Sequence, residues 1–109
     1  MRDHHHIDER SLAFGHAIAA KLRSEPEIVD RGRATLARWM TTCAPSVRPA
    51  LQEWCVALDG PVDAVIAILT SADERAIRLR QSNPFAGVLS QGERNRILRQ
   101  FEAHDARAT

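Results

Sequence analysis

The chain has 109 residues, a length that fits one domain built on one core. Its hydrophobic share of 44% and charged share of 27% are those of a globular protein, which excludes disorder along the whole length. Its 15 basic residues stand against 14 acidic ones, a net charge of +1, so there is no global electrostatic pull toward nucleic acid or an anionic membrane.

The first expected helix begins near Asp8 and runs to about Arg23, with Leu12, Ile18 and Leu22 as its apolar stripe and a disordered segment expected over 1–7. The second starts at a capping box of Ser24 and Glu27, with Pro26 in its first turn, and runs to about Cys43. Ile28, Leu36, Trp39, Met40 and Cys43 form its inward side, and Gly32 in its middle suggests a close approach by another helix. Ala44-Pro45 breaks the chain. A third helix over about 47–58 carries Leu51, Trp54, Cys55 and Leu58 at core-facing spacing. Both tryptophans are expected to anchor the core.

Asp59-Gly60-Pro61 separates that helix from a fourth. Val62, Val65, Ile66, Ile68 and Leu69 make the fourth apolar on most sides and place it at the centre. Ser71 and Glu74 read as a second capping box for a fifth helix over about 72–81, which Asn83-Pro84 stops. Ser90 and Glu93 read as a third box, for a last helix to about His104 with residues 105–109 fraying. The expected fold is all-α, a compact bundle of five or six short helices in a single domain over 8–104.

Chemistry-bearing residues are sparse. Cys43 and Cys55 lie among apolar neighbours and read as buried thiols in a reducing compartment rather than as a disulfide. His4, His5 and His6 are adjacent and point in three directions on a helix, and no HxxxH, HExxH or CxxC spacing suggests a metal site. There is no GxSxG and no Gly-rich phosphate loop. The acidic pairs Asp8-Glu9 and Asp73-Glu74 fall in helix first turns, where the macrodipole favours them. The expectation is a domain with no enzymatic activity, no cofactor and no metal. No run reaches the ~18 apolar residues of a membrane span, and MRDHHHIDERS lacks an apolar signal core, so the expected location is the cytoplasm without membrane contact.

Residues 71–109 stand apart. They hold Arg75, Arg78, Arg80, Arg94, Arg96, Arg99 and Arg107 against Asp73, Glu74, Glu93, Glu102 and Asp105. The arginines read either as a solvated helix face or as a docking patch for an acidic partner or phosphates. The linker from Ser82 to Leu89 is apolar for a loop, with Asn83-Pro84 setting a turn and Gly87 permitting a positive φ. Phe85, Val88 and Leu89 either plug the bundle's own core or form a hot spot for a partner.

The segment SADERAIRLRQSNPFAGVLSQGERNRIL, from Ser71 to Leu98, resembles a group of small uncharacterised bacterial proteins. They share a helix ending in an RLRQS-type run, an (S/N)PFAGVL turn and a capped helix containing Glu-Arg. The stretches AIAAKLRSEPEIVDRGRATLARW, LQEW and DGPVDAV extend the likeness from about Leu12 to Leu98. The resemblance implies an all-helical, antitoxin-like partner of a toxin–antitoxin gene pair, whose own partner is a toxin-like enzyme encoded by the adjacent gene. On the residues themselves, the expected contact surface is Arg78, Arg80, Gln81, Asn83, Phe85, Arg94, Arg96 and Arg99. The alternative is a DNA-binding regulator with a helix-turn-helix variant, placing Arg94, Arg96 and Arg99 on nucleic acid, although its connecting turn is long for that motif. Self-association as a homodimer through the apolar turn is compatible with either.

Overall fold

Apolar residues recurring at three- and four-residue steps fold the chain into six α-helices and leave no strand among the described residues. These are α1 (Arg2–Ser24), α2 (Val29–Thr42), α3 (Arg48–Asp59), α4 (Val62–Thr70), α5 (Glu74–Arg80) and α6 (Gln91–Ala108). Short 3-10 turns at Pro26–Ile28 and Ala86–Val88 precede α2 and α6. The computed structural model describes residues 9–102 in full and residues 2–8 and 103–108 as helical backbone only. The expectations for 1–7, for Asp8, for the histidines at 4–6 and 104, and for 105–109 lie outside the fully described residues.

The core is assembled from one stripe of each helix. α1 contributes Ile18, Ala19 and Leu22, α3 contributes Leu51, Trp54 and Leu58, and α4 contributes Val65, Ile66, Ile68 and Leu69. α4 is buried on most sides, as its composition predicts. Trp54 has no exposed surface, and its indole Nε1 donates to the carbonyl of Leu79 at 2.8 Å, which ties α3 to α5 without leaving a buried polar atom unsatisfied. Trp39 differs from expectation: it is half-buried at the bundle's edge rather than a core anchor.

Two glycines set the closest approaches. A Cβ on Gly15 would fall on the carbonyl oxygen of Leu69, so the α1 backbone packs directly on the end of α4. A Cβ on Gly32 would stand 2.5 Å from the ring of Phe85. The close approach expected at Gly32 is real, but the visitor is an aromatic side chain from the α5–α6 connection and not another helix.

One of the three expected capping boxes forms. Ser90 Oγ accepts from the Glu93 N–H at 3.1 Å, while Glu93 Oε1 accepts from the Ser90 N–H at 2.8 Å. At α5 the cap is Asp73, whose Oδ1 accepts from the Ala76 N–H at 2.8 Å; Ser71 Oγ donates to the other oxygen of Asp73 at 2.8 Å. A carboxylate two residues closer to the helix displaces the serine from the capping role. Ser24 belongs to the last turn of α1, where its hydroxyl donates to the carbonyls of Ala20 and Lys21, and α2 starts five residues later without a side-chain cap.

Candidate binding surface

α5 spans seven residues, and its arginines divide between outside and inside. Arg75 and Arg78 are three apart, hence neighbours on the exposed side. Both donate to one carboxylate on α3: Arg75 Nε to Glu53 Oε1 at 3.1 Å and Arg78 Nη1 to Glu53 Oε2 at 3.0 Å. The two guanidiniums, Arg78 first and Arg75 next, hold the Glu53 carboxyl below its usual range. The helix therefore meets solvent with one of its two surface cations neutralised.

Arg80 corrects the expected surface outright. It follows Ala76 by four residues and so shares the buried stripe of Ala76 and Leu79, and it is only 6% exposed. Its Nη1 donates to the carbonyls of Ile68 at 2.8 Å and Ser71 at 2.6 Å, and its Nε donates to Ser11 Oγ at 3.0 Å. Those carbonyls belong to the open C-terminal end of α4. Arg80 thus caps α4 and joins it to α1 and α5.

Phe85 is the second correction. It has no exposed surface, and it meets Trp54 edge-on with ring centroids 6.2 Å apart and planes at 66°. The aromatic side chain is a core plug, so it cannot serve as a contact for a partner. Asn83 shapes the turn: its Oδ1 accepts from the Phe85 N–H at 2.9 Å. Pro84, Val88 and Leu89 are buried as well, which leaves Ala86 and Gly87 as the exposed crest of the turn. Gly87 does not use the left-handed region, since no glycine has a positive φ. Gln81 is exposed beside α5.

α6 divides its arginines between two sides. Arg94 is half-buried, with its guanidinium 5.2 Å from the centroid of Phe14 on α1, and its Nη1 donates to the carbonyl of Ala86 at 3.3 Å. Lys21 adds a 3.1 Å ion pair to Glu93, so α6 is fastened to α1 beside its own cap. Arg96 lies roughly 200° around the helix from Arg94, and Arg99 roughly 140°; both are exposed. Arg96 and Arg99, three apart, are neighbours on the exposed side, but Arg94 does not share their face, and the ten-residue connection 81–90 departs from a helix-turn-helix link.

Sequence reasoning missed a different pair of cations. Arg31, Thr35 and Arg38 fall at offsets of four and three along α2 and therefore on one stripe. With Pro84, Gly87 and Val88 of the turn they line a hollow of about 310 Å³. Arg31 Nη2 donates to the carbonyl of Gly87 at 3.3 Å. Neither Arg31 nor Arg38 has a carboxylate partner among the described residues, in contrast to Arg33, which pairs with Asp59 at 3.3 Å. The turn is thus braced from both sides, by Arg31 on Gly87 and by Arg94 on Ala86. The i, i+4, i+7 spacing of Arg31, Thr35 and Arg38 was visible in the sequence; its position against the turn was not.

Cys43 and Cys55 are free thiols, each half-buried. No group of three His, Cys, Asp or Glu side chains gathers among the described residues. No helix among them is long and apolar enough to cross a membrane. No protein-family model, curated protein or solved structure matches the chain.

Proposed function

We propose that the chain is a protein-binding domain that docks an acidic partner on the Ala86-Gly87 crest and the guanidiniums beside it. The observation that carries this reading is the bracing of that crest: Arg31 and Arg94, from two helices, each hold one of its carbonyls while having no carboxylate partner among the described residues. A rigid, exposed turn rimmed by forked cations suits capture of carboxylates, because little ordering remains to be done on binding. The resemblance to antitoxin-like proteins names the partner: a toxin-like enzyme encoded by the adjacent gene, which the domain neutralises or supports by covering an acidic surface.

Co-expression with the adjacent gene product tests this. The pair is expected to co-elute at micromolar concentration, and Arg31→Glu combined with Arg38→Glu is expected to weaken the complex at least tenfold. Separate elution of the wild-type pair sinks the proposal. Affinity for duplex DNA at low salt that falls steeply as salt rises, with no protein complex, would move the function to nucleic-acid binding.

A further inference from the structure

The hollow between α2 and the turn has the composition of an anion site complete within one chain. Arg31 and Arg38 stand roughly 10 Å apart along the helix axis, with the half-buried Thr35 hydroxyl between them and no acidic residue in the lining. The Gly87 carbonyl fixes one guanidinium nitrogen of Arg31, and its other donors have no partner among the described residues. Arg38 has no side-chain partner among the described residues. Pro84 and Val88, both buried in the turn, form an apolar wall on the opposite side.

From this arrangement we infer that the hollow binds a phosphate monoester, with Arg31, Arg38 and Thr35 on the phosphoryl oxygens and Pro84 and Val88 against the carbon that carries them. A carboxylate has two oxygens and is satisfied by a single guanidinium fork, whereas a phosphoryl dianion has three terminal oxygens and engages two forks and a hydroxyl together. The hollow, at about 310 Å³, has room for an ester as well as for the bare ion. The inference concerns the same surface as the docking proposal but does not need the protein partner. A complex that forms without phosphate binding would leave the docking reading intact and remove this one.

The test is an amide-shift titration of the full chain with a short phosphoserine peptide, ribose 5-phosphate, inorganic phosphate and acetate. Saturable shifts confined to Thr35, Arg38 and Gly87, at least tenfold tighter for a monoester than for acetate, are the expected result. Arg38→Gln is expected to weaken that binding at least tenfold, and Thr35→Val to weaken it less. Gly87→Glu supplies a second variant, because a Cβ there meets no atom within 4 Å and the backbone has no positive φ. Its carboxylate should occupy the arginines and block the ligand. The tighter of the peptide and the sugar phosphate identifies the source of the phosphoryl group. Shifts spread equally over Arg96 and Arg99, acetate binding as well as the monoesters, or an Arg38→Gln variant that binds like wild type would overturn the inference.

Discussion

The ring of Phe85 rests directly on the backbone of Gly32, in the space that any larger residue on that turn of α2 would need. This one contact decides where the α5–α6 connection sits. It seats the turn against α2, and so brings Gly87 within reach of Arg31. The candidate surface is positioned by a core contact a few residues away from it.

Gly32→Ala is expected to destabilise the domain despite a gain in helix propensity of about 1 kcal/mol, because the new methyl overpacks Phe85 at a cost of about 1–3 kcal/mol. Trimming the ring in a Gly32→Ala, Phe85→Leu double variant should recover part of that loss, giving non-additive denaturation midpoints. Additive midpoints would show that the two sites do not share space. Gly15→Ala should cost more, since it meets the Leu69 backbone, which cannot rotate away.

Arg80→Met is expected to cost about 2–3 kcal/mol by leaving the carbonyls of Ile68 and Ser71 without donors in a dry place. Arg80→Lys should rescue little, because a single ammonium cannot reproduce the geometry of the planar fork. Chemical denaturation of the three proteins measures this. A lysine variant as stable as wild type would mean that charge alone suffices there.

Glu53, Asp73 and Glu93 all have carboxyl groups held below their usual range: by Arg78 and then Arg75, by the Ala76 N–H, and by the Ser90 N–H, respectively. A carboxylate depressed in the folded state stabilises the fold above its unfolded pKa and loses that contribution as pH falls through the folded value. The melting temperature should therefore fall on acidification from about pH 5 downward. Glu53→Gln should melt below wild type at pH 7, with the gap narrowing at pH 3. An unchanged gap would show that the two arginines do not set the acid sensitivity.

The sequence disclosed the helices because each carries an apolar stripe, and the stripe survives whatever its partners are. It disclosed the Ser90–Glu93 box because both halves of that interaction are local. It misled at Ser71, where Asp73 offered a better-placed oxygen, and on α5, where Arg75, Arg78 and Arg80 look alike as letters. What distinguishes them is tertiary: Glu53 comes from α3, and the empty carbonyls that Arg80 fills come from α4. The i+4 step from Ala76 to Arg80 was the available hint that one arginine points inward. Phe85 had to be buried somewhere, but only the fold could say that Gly32 leaves room for it.

The packing of α1 carries a consequence for how the chain is made. Its main partners are α4, α5 and α6, and residues 25–61 of intervening chain, including α2 and α3, must leave the ribosome before the first of these is available. Until then its oily side has only the Pro26–Ile28 turn to rest on. The clasp from Lys21 to Glu93 closes only once the chain through α6 has emerged. The apolar stripe of α1 is thus the part of this domain that waits longest for its cover during synthesis.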